Sequence, residues 1–399
     1  MKLISEIHPS KSTQAVHAGE IRRKPFGAIT TPIVQSSTYT FRDTAEIMDF
    51  MHSKEGGNQP LRDEYGRYSN PTQSSAEAKL ATLEGGEEAL LFGSGMAAIT
   101  TTLLTLLSAG DHMIMTSGSY HRTLDFARNL LPRWGIETSF APIDQPEALV
   151  EAIRPNTRLI FSETPTNPYL RVIDLERLVQ TAHTHHLITV LDSTFATPIN
   201  LRPLDYGIDL VIQSATKYLG GHNDLLAGAV IGSRLELADI RAVRGVLGGI
   251  SNPQEAYLLL RGLKTLELRV VRHNENGLRV ARFLEDQAKI SRVYYPGLPS
   301  HPDYEIARRQ MSGFGGVVSF EIDGDFEKTG GFIDLLHLPY IGPTLGGVES
   351  VIQQPAALYS LNPLERKADG IKDNLVRYAL GIENVEDILA DLDQALNRL

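Results

Sequence analysis

Short runs of apolar and β-branched residues recur between about residues 88 and 233: EALLFGS (88–94), HMIMTS (112–117), ETSFAPI (137–143), TRLIFSET (157–164), LITVLDS (187–193), LVIQSA (210–215) and LLAGAVIGS (225–233). Each is bounded by polar or turn residues, the pattern of a strand buried on both faces. Most are separated by helical spacing, as in SSAEAKLATLEG (74–85), where Gly85 marks the stop, GMAAITTTLLTLL (95–107) and DLERLVQTAHTHH (174–186). Alternating strands and helices predict an α/β unit with a parallel sheet covered on both faces. Before about residue 70 the chain reads as irregular, from KPFGAITTPIVQSSTYTF (24–41) to the polar HSKEGGNQPLRDEYGRYSNPT (52–72). Beyond about residue 255 a long helical stretch (253–287) leads to GGVVSFEIDG (315–324), HLPYIGPTL (337–345) and DNLVRYALGIE (373–383), strands of a smaller α+β unit. The division that follows is an N-terminal arm over 1–70, a large domain over 71–258 and a small domain over 259–399.

At 399 residues the chain can bury more than one core. A net charge of −10 argues against a nucleic-acid partner, whose phosphates need a basic surface. With no cysteine, neither disulfides nor thiolate metal sites can form. No apolar run is long enough to span a bilayer, and MKLISEIHPSKST offers no signal-peptide core, so no membrane partner and a cytoplasmic location are expected.

Lys217 stands in QSATKYLGGHNDLLAGAV (213–230), between two apolar runs where the chain must turn sharply. Asp192 closes LITVLD, and a carboxylate at the end of a buried strand needs a partner. The two lie on neighbouring predicted strands and converge on the carboxyl edge of the sheet, where α/β proteins bind ligands. A lysine and an aspartate facing one site are what pyridoxal 5′-phosphate (PLP) requires. The lysine bonds to the aldehyde, and the aspartate keeps the pyridine nitrogen protonated. FGSGMAAI (92–99) puts the N–H groups of Gly95 and Met96 at a helix start, suited to a phosphate, and Ser214 and Thr216 can add hydroxyls. Tyr120 reads either as a half-buried core tyrosine or as a ring that stacks on a planar cofactor. HTHH (183–186) lacks acids at ligand spacing and reads as a solvated helix end, so no metal site is assigned. Trp134 is assigned to the core.

These motifs resemble the Cys/Met-metabolism group of PLP enzymes, which comprises cystathionine γ-synthase, cystathionine γ- and β-lyases and methionine γ-lyase. The resemblance runs almost end to end. It begins with GAITTPIVQSSTYTF, YGRYSNPT, FGSGMAAI, SETPTNPYLRVID, LDSTFATP and QSATKYLGGHND, and continues through YYPGLPSHP, GFGGVVSFEIDG, LGGVESVIQQPA and NLVRYALGIE. ATKYLGGHNDLLAG, YYPGLPSHP and GFGGVVSFEIDGD look especially like plant-type γ-synthases. The resemblance implies a fold-type-I (aspartate aminotransferase-like) α/β architecture. It also implies a homotetramer, a dimer of dimers whose active sites are shared between subunits. It makes Lys217 the covalent lysine, Asp192 the partner of the pyridine nitrogen and Tyr120 the stacking ring, with Gly95, Met96, Ser214 and Thr216 around the phosphate. Tyr65 and Arg67 match the residues that reach the phosphate of a neighbouring subunit, with Gly66 in place of the usual serine. Arg377 matches the grip on the substrate α-carboxylate, Asn167 a residue beside it, and Glu349 a glutamate at the entrance. Thr344 stands where many members have serine, and AALYSLNP (356–363) lacks the threonine-histidine pair of many lyases. The reading implied is γ-replacement of an activated homoserine by cysteine to give cystathionine. The alternatives are a γ-lyase for cystathionine, methionine or a compound such as canavanine, and a non-catalytic PLP-binding regulator.

Overall fold

The computed structural model describes residues 9–55, 62–358, 364, 366 and 370–399. Seven strands form the first sheet: β1 (Glu88–Phe92), β2 (His112–Thr116), β3 (Glu137–Ala141), β4 (Thr157–Glu163), β5 (Ile188–Asp192), β6 (Leu210–Gln213) and β7 (Gly228–Gly232). Their order is β1-β7-β6-β5-β4-β2-β3. Every residue of β1, β2, β5 from Thr189, β6 and β7 is buried, so the uninterrupted apolar runs mark strands covered on both faces. From β3 to β6 the strands are parallel. Here the expectation of a parallel sheet is corrected: β7 is antiparallel to both β6 and β1. The link from β6 to β7, residues 214–227, holds a tight turn and no crossover helix, so the chain returns in the opposite direction.

The second sheet comprises β8 (Ile290–Tyr294), β9 (Val317–Ile322), β10 (Tyr340–Ile341), β11 (Val351–Gln353) and β12 (Leu375–Ala379), in the order β10-β11-β12-β9-β8. Only β10 and β11 run parallel. β8 and β11 escape the sequence reading because ISRVY mixes charge into a half-exposed edge and VIQ is three residues long. The long helical stretch is two helices, Pro253–Leu263 and Leu266–Glu285, broken at Lys264–Thr265 where Thr265 leaves helical geometry. The N-terminal segment is less irregular than its composition suggests, with helices Lys11–His17 and Thr44–Glu55. Trp134 is 48% exposed at the end of the turn Leu131–Trp134, which corrects its assignment to the core. Every strand of the first sheet lies within 88–232 and every strand of the second within 290–379. On that ground we propose 1–70, 71–258 and 259–399 as the structural units. Among the described residues no helix is long and apolar enough to cross a membrane, and no cluster of three or more His, Asp or Glu could hold a metal.

The N-terminal segment is anchored by buried polar groups. Lys79, fully buried, donates to Ala15 O and Val16 O at 2.9 Å and to Glu20 Oε1 at 3.1 Å. Burial would raise the pKa of Glu20, but bonds from Lys264, Lys79 and Lys24 hold it down at about 2. Asn70 caps the helix Pro71–Glu84 by accepting from Thr72 N (2.9 Å) and Gln73 N (3.4 Å). Its amide donates to Val34 O at 2.7 Å and Tyr39 Oη at 3.1 Å.

Asn70→Ala removes the cap and leaves buried partners unmatched. It should lower stability by about 1–3 kcal/mol, seen as a fall in the urea midpoint without a change in m-value.

Candidate active site

The carboxyl ends of β4, β5 and β6 and the 214–227 link build the site. Lys217 sits in a closed turn, with its N–H on Ser214 O (3.1 Å) and its C=O accepting from Gly221 N (2.8 Å). Its Nζ donates to Thr344 Oγ1 at 3.3 Å. Burial, and then the charge of Arg377, lower the Lys217 pKa to about 8. The amine is therefore easier to deprotonate than an exposed lysine, as a nucleophile requires.

Asp192 ends β5 and is buried. Its Oδ1 accepts from Thr194 N (3.0 Å) and Thr194 Oγ1 (2.6 Å), while Oδ2 accepts nothing from the described residues. Burial raises its pKa, and the two Thr194 bonds oppose the rise. Thr194 Oγ1 also accepts from Ser214 N at 2.8 Å, tying the ends of β5 and β6.

At the start of the helix Gly95–Leu106, Ser94 Oγ takes Ala97 N (3.0 Å), and the first-turn N–H groups of Gly95 and Met96 have no acceptor among the described residues. A Cβ at Gly95 would stand 3.0 Å from Ser214 Cβ and Oγ, so a glycine keeps this corner open. Thr216 Oγ1 lies within bonding distance of Ala227 O (3.2 Å) and N (3.0 Å). Tyr120 donates its N–H to Glu163 Oε2 at 2.6 Å. Burial raises its phenol pKa, with opposing help from Arg122.

Arg377 is fully buried on β12 and has only neutral partners among the described residues. It donates to Asn167 Oδ1 (3.1 Å) and Thr344 O (3.0 Å), and with the Gln353 amide turned over, to that oxygen at 3.2 Å. Burial, partly offset by Tyr218 and Tyr120, lowers its pKa to about 10. A buried guanidinium without a carboxylate is suited to receive one. Glu349 is exposed at the rim, where its Oε2 accepts from Asn223 Nδ2 at 2.8 Å.

These bonds join Lys217, Asp192, Ser214, Asn167, Thr344 and Arg377, place Gly95 against Ser214, and bring Glu349 to the same loop. They do not bring in Tyr65 and Arg67. Arg67 donates to Gly245 O and lies 5.5 Å from the Tyr65 ring and 4.9 Å from the Tyr68 ring. The YSLNP part of AALYSLNP (359–363) lies outside the described residues.

The sequence reading missed Glu163, which ends β4 in register with Asp192 and is likewise buried. Burial and then the Asp192 charge push its pKa well above the ordinary value, and the bond from Tyr120 N opposes the rise. Its signal was present in TRLIFSE, a buried run ending in an acid as LITVLD does.

The donor set fits PLP. Two free N–H groups and an open hydroxyl corner suit its phosphate, the free Asp192 oxygen its ring nitrogen, and an amine of lowered pKa its aldehyde.

Comparison with known proteins agrees. The profile described as "Cys/Met metabolism PLP-dependent enzyme" matches residues 12–397. The chain is 48% identical over 397 residues to cystathionine gamma-synthase 1, chloroplastic, of Arabidopsis thaliana, covering 98% of this chain and 69% of that protein. It is 43% identical over 398 residues to L-methionine gamma-lyase of Fusobacterium nucleatum subsp. nucleatum (97% and 98% covered). It is 40% identical over 392 residues to cystathionine beta-lyase of Lactococcus lactis subsp. cremoris (98% and 99% covered). The crystal structure of metB from Corynebacterium glutamicum superposes with a TM-score of 0.91 at 35% identity, covering 98% of each chain.

In protein stripped of cofactor, the lowered Lys217 pKa penalises folding fully below about 8, and the penalty fades as pH rises from there towards 10.5. Acylation of Lys217, followed by peptide mapping, should accordingly rise with a midpoint at about 8, well below that of exposed lysines. Arg377→Lys keeps a charge but loses the fork, so kcat/KM for the amino-acid substrate should fall roughly 10–100-fold with the cofactor spectrum unchanged.

Proposed function

The chain belongs to the Cys/Met metabolism PLP-dependent enzyme family, and on that premise we propose that it replaces the γ-substituent of an activated homoserine with cysteine, giving cystathionine. It is a PLP-dependent enzyme of cysteine and methionine metabolism. The observation that carries the reading is the bridge at Thr344, whose hydroxyl takes the Lys217 amine while its carbonyl takes the Arg377 guanidinium. A substrate carboxylate on Arg377 is thereby held close to the amine that must move its protons.

In this proposal Ser214, Thr216 and the N–H groups of Gly95 and Met96 hold the PLP phosphate, Asp192 its ring nitrogen, Tyr120 its ring face and Lys217 its aldehyde. PLP, when bound, supplies an electron sink for the bonds at the substrate α-carbon. Arg377 and Asn167 fix the α-carboxylate and orient the substrate. Lys217, as a free amine, would take the proton from Cα, give it up to the cofactor side of the substrate, and so be a base again for the proton at Cβ, work that its lowered pKa favours near neutral pH. Glu349, held by Asn223 at the rim, offers a carboxylate to the ammonium of an incoming cysteine. γ-Elimination shares every step up to loss of the γ-substituent, and the similarity to a methionine gamma-lyase keeps it as the second reading.

The proposal includes a homotetramer in which Tyr65 and Arg67 serve the neighbouring subunit's phosphate. In support, among the described residues they make no bond to the Lys217 cluster of their own chain, and Phe26 and Ile29 of the adjoining arm stand 99% and 93% exposed. We also place the enzyme in the cytoplasm, where free amino acids are available to it.

With an O-acyl- or O-phosphohomoserine, cysteine should raise total turnover and appear in cystathionine, read by mass spectrometry against formation of a 2-oxo acid without cysteine. Glu349→Ala should shift this product ratio at least severalfold and leave cofactor binding intact. Full-rate release of ammonia and 2-oxo acid, with cysteine never incorporated, would replace this reading with the lyase. Mixing inactive Arg67→Ala and Lys217→Ala proteins under subunit exchange should restore activity, since one site in each mixed dimer is then whole. Mixed dimers that stay dead would refute the shared site.

A further inference from the structure

Behind the Lys217 turn lies a second buried arginine that the chemistry above does not use. Arg269, on the helix Leu266–Glu285, is 4% exposed. Its Nη1 donates to Tyr218 O at 2.6 Å, and its Nη2 to Gly262 O at 2.8 Å and Leu219 O at 3.4 Å. Its Nε donates to Thr265 Oγ1 at 3.2 Å. No carboxylate pairs with it among the described residues. Taking a guanidinium out of water without a counter-charge is costly, and it persists only where fixed dipoles replace the water.

The dipoles are those of the lysine turn. Ser214 O, Ala215 O and Lys217 O are taken within the turn by Lys217 N, Gly220 N and Gly221 N, which leaves the next two carbonyls, Tyr218 O and Leu219 O, to Arg269. These belong to the two residues directly after Lys217, so the guanidinium closes the end of the turn as a cation closes the carboxyl end of a helix. Gly221 makes room for it: its φ is +75°, and a Cβ there would lie 1.9 Å from Nη1. On the far side Val348 N donates to Gly221 O at 3.0 Å, carrying the small-domain loop that includes Thr344 and Glu349. Of the other titratable groups around the turn, His222 sets its Nδ1 2.8 Å from Gly220 O, and Glu349 lies on the loop carried by Val348. Burial pushes the Tyr218 phenol up to about 12 and the His273 imidazole down to about 4. Arg269 thus stands behind the turn, as Arg377 stands before it.

We propose that Arg269 is a positioning residue for Lys217, a guanidinium cap on the carbonyls of Tyr218 and Leu219 that sets where the lysine amine stands. This rests on the reading that Lys217 carries PLP. Arg269→Met removes the cap, Arg269→Lys keeps a charge that can satisfy only part of the carbonyl set, and Thr265→Val removes only the contact within the helix.

The holoenzymes are compared by the pH midpoint of the cofactor's visible band and by the fraction of cofactor that borohydride fixes on Lys217, with near-ultraviolet circular dichroism as the check on folding. Arg269→Met should shift the midpoint by a unit or more and cut the fixed fraction severalfold. Arg269→Lys should fall between it and the wild type, and Thr265→Val should match the wild type. A folded Arg269→Met with wild-type midpoint and yield overturns the proposal. If that variant does not fold, Arg269→Lys decides, and wild-type values in it overturn the proposal equally. Cofactor absent from the wild type, or fixed on another lysine, would overturn the PLP reading of Lys217 itself and this inference with it. A loss confined to the two Arg269 variants supports the cap.

Discussion

A largely buried backbone turn needs partners for its polar groups in place of water, and residues 214–221 draw several of them from a helix and a loop outside the turn. Within the turn Ser214, Ala215 and Lys217 carbonyls are closed locally, and Thr216 N is taken by Ala227 O at the approach to β7. From outside come Arg269 for Tyr218 O and Leu219 O, the His222 ring for Gly220 O, and Val348 N for Gly221 O. Unpaired, each of these carbonyls would cost about 1–3 kcal/mol. The bond from Val348 N to Gly221 O ties the loop that carries Thr344 to the turn that carries Lys217. The antiparallel entry of β7 is the geometric consequence of the same compact link.

Around that turn, charges are kept apart that elsewhere in the molecule are allowed to meet. Arg171 and Asp303 form a two-pronged pair at 2.6 and 2.9 Å, each spent on the other. Arg377, by contrast, is held by an amide, a carbonyl and a glutamine, and Asp192 by the N–H and hydroxyl of one threonine. Neutral partners orient a charge without cancelling it, so Arg377 and Asp192 keep unspent capacity for charged groups. Glu163 beside Asp192 fits the same logic: carboxylates in register on adjacent strands repel when ionised, which with burial pushes the Glu163 pKa up, while its Oε2 accepts from Tyr120 N.

The positions of the seven strands of the first sheet, the lysine between the sixth and seventh, and the aspartate ending the fifth were all legible in the chain, most of them because burial on two faces writes an unbroken apolar run; β3, half-exposed as ETSFA, was read from its bounds alone. The end-to-end succession of motifs carried the family in the same way. The direction of β7 was not legible, since an apolar run reads the same from either end. β8 and β11 were hidden by exposure and brevity, and the burial assigned to Trp134 failed because residue type alone does not say which side chains find cover. Arg269 shows the division most clearly. Helical spacing puts it on one stripe with Leu266, Val270 and His273, so its burial was written locally. That two carbonyls of the lysine turn wait there, and that no carboxylate does, depends on which remote segments the fold brings together. Local periodicity sets which side of an element is dry, but the partner a buried charge finds there is decided only when distant backbone closes around it.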